Sequence, residues 1–214
     1  MLKTSSSIQV AAIQEIKQMM IESLAKPNSQ AWYRPTLSHE HGVYVVLLVS
    51  FLTGAALAQS WTLSTTLALV CAFFGFQAEH PIVLQLKQRR SLKPRFLVWG
   101  GLYSTVSLAI AFWLYLSSPV LLWLYLGAVA ALIVDTVSVL NREQKSIFNE
   151  FITFAAVCLS APVAYAATTG TISVTAMGLW VLNALYFSST IFTVKLRKPK
   201  TSSPVPGLVY HAIA

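Results

Sequence analysis

Long apolar runs alternate with short polar breaks over most of this chain, from Gly42 to Lys195. Because a helix needs about 20 residues to cross the hydrocarbon layer of a bilayer, each run predicts one transmembrane helix. The six predicted spans are Gly42–Ser60, Thr62–His80, Phe96–Leu116, Val120–Leu140, Phe148–Thr168 and Ser173–Lys195. The breaks at 59–61, 117–119 and 168–170 are only a few residues long, so they predict tight turns between helical hairpins.

The two ends of the chain differ from this central region. In residues 1–37, Ile13, Ile16, Met20 and Leu24 recur at helical spacing, with polar residues such as Glu15 between them. This pattern predicts an amphipathic helix that lies on the membrane or on the body of the protein. Residues 38–198 would form the six-helix domain. Residues 199–214 begin with a Pro/Ser-rich stretch and predict a short irregular tail.

The amino-acid composition excludes a soluble fold. The 214 residues are 56% hydrophobic and 10% charged, whereas soluble domains carry about a quarter charged residues. The predicted fold class is therefore all-α, a polytopic transmembrane helical bundle. Cys71 and Cys158 lie near the middle of apolar runs and are predicted to be small core residues, with no spacing that indicates a disulfide or a metal pair.

The basic residues fix a predicted orientation. The net charge is +8, and all fifteen Lys and Arg residues fall before helix 1, between helices 2 and 3, between helices 4 and 5, or after helix 6. The short turns on the other side carry none, so the positive-inside rule predicts that the basic side and both termini are cytoplasmic. Lys and Arg residues that flank apolar runs in this way indicate that the partners are anionic lipid headgroups and not a nucleic acid.

Ionisable side chains concentrate on the same predicted side. His39, Glu40 and His41 precede the first apolar run with Tyr44 just inside it, and Glu79 and His80 close the second run before Pro81. Because Pro81 lacks an amide hydrogen and disfavours helix at His80, a turn is predicted there. The hairpin would then bring both groups together. Each residue alone is equally consistent with a solvated collar at the headgroups, whereas the group as a whole favours a binding site.

Three further positions are candidates for the same site. Asp135 lies six residues before Asn141, about 9 Å inside the end of helix 4, so it is expected to face the bundle interior or water. Arg142 is an alternative explanation, because it shares a helix face with Asp135 and would neutralise it as a structural pair. At the start of helix 5, Ser146 is expected to cap the helix, and Asn149 beside Glu150 suits either a cap or a ligand.

Two other features have a structural and a functional interpretation. Asn183 and Tyr186 lie one turn apart within helix 6, where a buried amide serves either as an interhelical tie or as a ligand. The basic loop that contains Arg89 and Arg90 either anchors to anionic headgroups or gathers a phosphate beside the Glu/His cluster. Arg197 follows helix 6 on the same side.

The order and spacing of these residues resemble the YwiC-like family of bacterial integral membrane proteins. The matching features are Glu40-His41-Gly42-x-Tyr44, Gly54, Pro81 with its basic loop, Phe148-Asn149-Glu150, Ala161-Pro162-x-Ala164-Tyr165, Asn183-x-x-Tyr186-Phe187, Val194-x-x-Arg197 and Tyr210-His211. The family has Trp where this chain has Tyr44, and it continues past the Tyr-His pair with further apolar helices. The resemblance implies a bacterial cytoplasmic or internal membrane, but no particular reaction.

A more distant similarity of architecture is to the intramembrane prenyltransferases of the UbiA superfamily. These helical bundles hold Mg²⁺ and a diphosphate at a cytoplasmic mouth, but their Asn-Asp-x-x-Asp signature is absent here. A magnesium–diphosphate site would have to use Glu40, Glu79, Asp135 and Glu150 instead, with Glu40, Glu79 and Asp135 as the metal ligands.

These observations lead to one principal hypothesis and two alternatives. The first is a protein that binds, and transfers if it is an enzyme, a prenyl- or lipid-type substrate with a phosphate head. Its catalytic residues would be His41, Asp135 and Glu150. Its substrate-binding residues would be His39, Glu40, Tyr44, Glu79, His80, Arg89, Arg90, Asn149, Asn183, Tyr186 and Arg197. The alternatives are a small transporter or permease and a non-catalytic membrane assembly or scaffold protein.

Overall fold

A computed structural model describes residues 14, 15, 17, 35–38, 40–88, 92–141, 143, 146–196 and 205–213. The chain divides into two units, Met1–Pro35 and Thr36–Ala214. In the first unit, Gln14, Glu15 and Lys17 are helical and exposed, and the rest of the predicted amphipathic helix lies outside the described residues. The second unit contains all six apolar runs.

All regular structure in the described part of the second unit is α-helical, as the sequence predicts, and no strand occurs there. The helices are α1 His41–Leu57, α2 Leu63–Lys87, α3 Pro94–Ser117, α4 Leu121–Leu140, α5 Ile147–Cys158, α6 Ser160–Thr169, α7 Val174–Leu196 and α8 Val205–Ile213. Within the described ranges, five segments are long and apolar enough to cross a membrane: α2, α3, α4, α5 with α6, and α7. The shorter apolar α1 has 17 residues and accounts for the sixth predicted helix.

Helix α2 corrects the prediction that the chain turns at Pro81. The helix continues through Pro81 to Lys87, although proline removes the hydrogen bond to the carbonyl four residues earlier. Pro81 is fully buried, and α3 packs on it near Gly100. A Cβ at Gly100 would lie 3.5 Å from Cγ of Pro81 and from Cγ1 of Ile82, which is an ordinary van der Waals contact. Packing between neighbouring helices thus keeps α2 intact beyond the proline.

Pro162, by contrast, interrupts the span Ile147–Thr169. Its missing amide hydrogen leaves the Cys158 carbonyl without its intrahelical partner, and the helix breaks at Leu159 into α5 and α6. The two pieces together still form one span, Ile147–Thr169.

The C-terminal segment corrects the prediction of an irregular tail. Residues Val205–Ile213 form α8, which packs on α7. The Tyr210 hydroxyl donates a hydrogen bond to the Leu185 carbonyl, and its ring lies 4.8 Å from the Phe192 ring between centroids. Tertiary contacts therefore stabilise a helix that is too short to be stable alone.

The main helix pairs are not the ones that the short turns join. Helix α1 packs mainly on α6, α2 on α3, and α5 on α7. Helices α1 and α6 approach closely, because a Cβ placed on Gly54 would collide with the Ala161 carbonyl. Small residues allow such close approach between membrane helices. A short turn fixes only where two helix ends lie, whereas side-chain size decides which faces meet.

Hydrogen bonds between helices fix the interior of the bundle. Asn183 on α7 donates from Nδ2 to Oγ1 of Thr53 on α1 at 2.9 Å. At the opposite end from His41, the hydroxyls of Thr65 and Thr168 lie 2.7 Å apart. Both cysteines are free, as expected, and Cys158 accepts a hydrogen bond from the buried Ser50 hydroxyl. Polar contacts of this kind tie membrane helices together in a fixed register.

Candidate functional site

Five of the ionisable residues predicted for the site line one cavity of about 430 Å³, which we call the polar cavity. Its polar lining consists of Ser38, Glu40, Glu79, His80, Lys87, Asp135, Asn149, Glu150 and Thr153. Its apolar lining consists of Val43, Phe76, Val83, Leu84, Val139, Phe154 and Val157. The structure thus brings Glu40, Glu79, His80, Asp135, Asn149 and Glu150 together, although they come from four parts of the chain.

Helical periodicity explains which residues line this cavity. Residues three or four apart lie on one face of a helix. In α2 this face carries Phe76, Glu79 or His80, Val83 and Lys87, and in α5 it carries Asn149, Thr153 and Val157. The continuation of α2 past Pro81 is necessary here, because Val83, Leu84 and Lys87 would otherwise lie in a loop.

The cavity lies at one end of the bundle. Its lining comes from the segment before α1, the C-terminal parts of α2 and α4, and the N-terminal part of α5. It extends along α5 from Asn149 to Val157, which is about 12 Å at the helical rise per residue. No residue from the turns at the opposite end lines it. The connections from α2 to α3 and from α4 to α5 therefore lie at the same end, as their basic residues predict.

A hydrogen bond holds Asp135 in the cavity wall. Nδ2 of Asn149 donates to Oδ1 of Asp135 at 2.8 Å, and Asn149 is 3% exposed. The Ser146 hydroxyl accepts from the Asn149 backbone N–H at 3.1 Å, which confirms Ser146 as the cap of α5. The Asn149 side chain therefore supports Asp135 and does not cap the helix. The alternative partner Arg142 lies outside the described residues.

This bond leads to a stability prediction. Replacing Asn149 with Leu should lower the free energy of unfolding by about 1.5 kcal/mol, because Asp135 loses a charge-assisted donor. Thermal unfolding in detergent would measure the loss. The matched control is Asn141→Leu, an exposed position at the end of α4, which should change stability little. If Asn149→Leu lowers the free energy of unfolding equally in a protein that already carries Asp135→Leu, the Asn149–Asp135 hydrogen bond contributes nothing to stability.

The three carboxylates predicted to bind Mg²⁺ lie on different walls of the polar cavity. Glu40, Glu79 and Asp135 all line it, but among the described residues no three His, Cys, Asp or Glu side chains are arranged to hold a metal ion. Mg²⁺ usually keeps several waters and binds one or two carboxylates together with substrate phosphates. Mg²⁺ binding by these residues therefore stays a prediction.

Several other predicted residues lie away from the polar cavity. His41 is exposed at the start of α1, and Tyr186 is 71% exposed. Asn183 bonds to Thr53, as expected for an interhelical tie. Tyr44 directs its hydroxyl to the Ser38 carbonyl and to Gln77. His39, Arg89, Arg90 and Arg197 lie outside the described residues.

Two residues that matter for the cavity were not among the predicted site residues. Lys87, the first residue of the predicted basic loop, lines the cavity near the end of α2. Gln77 lies further in along the same helix, is 2% exposed, and bonds to both Ser38 and Tyr44. An amide within an otherwise apolar run was the signal for Gln77, since a buried amide in a membrane helix needs a partner.

Comparison with known proteins gives one match. A family model described as YwiC-like protein matches residues 37–165, a range that includes every residue lining the polar cavity. No curated protein and no solved structure matches the chain.

Proposed function

This chain belongs to the YwiC-like family, and we propose that it is an integral membrane protein whose polar cavity binds an amphipathic ligand with a positively charged head. One observation carries the proposal: carboxylates from four elements line the polar cavity at one end of the bundle, and apolar side chains continue its lining inward along α5. By the positive-inside rule, this end would face the cytoplasm of the bacterial cell, with both termini on the same side.

The size and lining of the cavity fit a small lipid-like or alkyl ligand. Ligand pockets span about 300–1,000 Å³ and combine mostly apolar walls with a few placed polar groups. In this cavity Phe154 and Val157 would contact an apolar tail, while Asp135 and Glu79 would lie beside the head. Sixteen residues line the cavity, and seven of them are apolar. The polar head and the apolar tail of such a ligand would therefore each contact side chains of matching polarity.

The charged side chains that line the cavity indicate whether the head group of the ligand is a cation or an anion. Glu40, Glu79 and Asp135 each contribute a carboxylate to the lining, and they come from three different elements. One lysine, Lys87, also lines the cavity. An anion would add to the repulsion among the carboxylates, whereas a cation would reduce it. The sequence pattern predicts a phosphate head. The acidic lining supports the opposite charge, and a phosphate head is therefore the competing outcome of a binding experiment.

The transporter and scaffold alternatives have less support. A transport path would need lining residues from both ends of the bundle, whereas this cavity is lined from one end. A scaffold would not need a cavity of this size. The catalytic roles of Asp135 and Glu150 stay a prediction, as does that of His41, which lies away from the cavity.

A variant that fills the cavity tests the proposal. Octylammonium, octanol and octyl phosphate would be titrated against the purified protein in nanodiscs, with bound species counted by native mass spectrometry. Val157→Trp places a large side chain at the inner end of the cavity and should weaken octylammonium binding about tenfold or more, since about 1.4 kcal/mol corresponds to tenfold in affinity. Val129→Trp is the matched control, because Val129 is 51% exposed on α4 and away from the cavity.

Two results would contradict the proposal. Equal octylammonium binding by Val157→Trp and the wild type would place the ligand elsewhere. Tighter binding of octyl phosphate than of octylammonium by the wild type would support the phosphate head and exclude the cationic one.

A further inference from the structure

The segment before α1 forms part of the cavity wall although it has no regular secondary structure. It comprises residues 36–40, of which 39 lies outside the described residues, and we call it the strap. Thr36 and Ser38 are each 6% exposed, while Leu37 between them is 50% exposed. Ser38 and Glu40 line the polar cavity. The strap therefore lies against the helices with alternate side chains directed inward.

A ring of hydrogen bonds fixes the strap. The Ser38 backbone N–H donates to Oε1 of Gln77 at 3.2 Å, and the Ser38 carbonyl accepts from the Tyr44 hydroxyl at 3.1 Å. The ring closes because Nε2 of Gln77 donates to the same Tyr44 hydroxyl at 2.7 Å. Gln77 on α2 and Tyr44 on α1 thus satisfy both backbone polar groups of Ser38, as buried backbone groups require.

The same ring determines where Glu40 lies. The Glu40 backbone N–H donates to the Ser38 hydroxyl at 3.3 Å, so the position of Glu40 depends on that of Ser38. The Tyr44 ring packs edge-on against Phe76, with centroids 5.1 Å apart, which restricts the direction of its hydroxyl. Gln77 does not line the cavity. An effect of Gln77 on a ligand would therefore be indirect, and its hydrogen bonds to Ser38 and Tyr44 are the contacts that could transmit it.

We infer that Gln77 is a positioning residue, which fixes the strap so that the Glu40 carboxylate lies at the cavity and contributes to selection of a positively charged head. The effect of Gln77 on ligand binding rests on the proposed function. The position of the strap itself does not depend on any ligand.

The first test measures selectivity. Selectivity is the ratio of octylammonium to octanol affinity, and Glu40→Gln should lower it about fivefold by removing one charge. Gln77→Leu should lower it to a similar extent while leaving octanol affinity unchanged. The double variant Gln77→Leu with Glu40→Gln should lose no more than either single variant, because residues that act as a unit are not additive.

Gln85→Leu is the matched control. Gln85 is also on α2, and its Oε1 accepts from the Lys93 backbone N–H at 3.0 Å, away from the strap. This variant should leave selectivity unchanged. Equal loss of octylammonium and octanol binding in Gln77→Leu would overturn the inference, since it would indicate a structural role only. Additive losses in the double variant would also overturn it.

The second test needs no ligand, so it separates failure of this inference from failure of the proposed function. Ser38→Cys introduces a thiol at a buried position, while the natural Cys71 and Cys158 are themselves buried. A membrane-impermeant charged thiol reagent should react slowly with Ser38→Cys and about tenfold faster when Gln77→Leu is added, as local opening makes the strap accessible. An unchanged rate would overturn the inference, whatever the probes show.

Discussion

Gly54→Ala should destabilise the protein by about 3 kcal/mol, near the upper end of the usual cost of overpacking. The added Cβ would collide with the backbone carbonyl of Ala161, and a backbone group cannot rotate away as a side chain can. Helices α1 and α6 would have to separate along their whole contact. The separation would also disturb the hydrogen bond from the Ser160 hydroxyl to the Leu47 carbonyl. Thermal or denaturant unfolding in detergent would measure the loss.

Gly101→Ala is the matched control for this experiment. Gly101 lies within α3, and a Cβ there would meet nothing within 4 Å. The substitution should be neutral or slightly stabilising, because Ala favours a helix over Gly by about 1 kcal/mol. Equal stability of Gly54→Ala and Gly101→Ala would contradict the close approach of α1 and α6.

Asp135→Lys should weaken octylammonium binding about a hundredfold and give measurable octyl phosphate binding, a change of about 2.8 kcal/mol. The substitution changes the charge of the cavity by two, at a position on α4 that faces the cavity beside Asn149. Charges interact more strongly in a partly desolvated cavity than in water, so a reversal there should dominate over the rest of the lining. Titration of both probes in nanodiscs would measure the change.

Two companion variants make this result specific. Asp135→Asn removes the charge with little change in shape, so it should weaken octylammonium binding about tenfold without creating octyl phosphate binding. Glu143→Lys reverses a charge at an exposed position that does not line the cavity, and salt should screen its effect. A comparable reversal in Glu143→Lys would show that surface potential, and not the cavity, selects the ligand.

The residues that line the polar cavity were partly predictable from the sequence. Glu40, Glu79 and Asp135 stood out because ionisable groups next to uncharged apolar runs are costly in a membrane unless they have a function or a partner. His41 stood out for the same reason, but the start of α1 turns it away from the cavity. Neighbouring residues on a helix point about 100° apart, so one can face the cavity while the next is exposed. Hydropathy does not show how a helix is rotated about its axis relative to the cavity.

The proline residues show why local rules were not sufficient. The same loss of an amide hydrogen occurs at Pro81 and at Pro162, yet α2 continues through the first and a helix breaks before the second. Both prolines are fully buried in the bundle. The missing amide hydrogen therefore does not by itself determine whether a helix continues.

Hydrophobicity and charge along the chain are sufficient to predict an all-helical membrane protein with its basic connections at one end, because both properties act at each position regardless of neighbours. Three contacts could be seen only in the folded bundle: α1 packs on α6, Asn149 supports Asp135, and Gln77 holds the segment before α1. These contacts depend on the rotation and close approach of whole helices, which small residues such as Gly54 permit but do not specify.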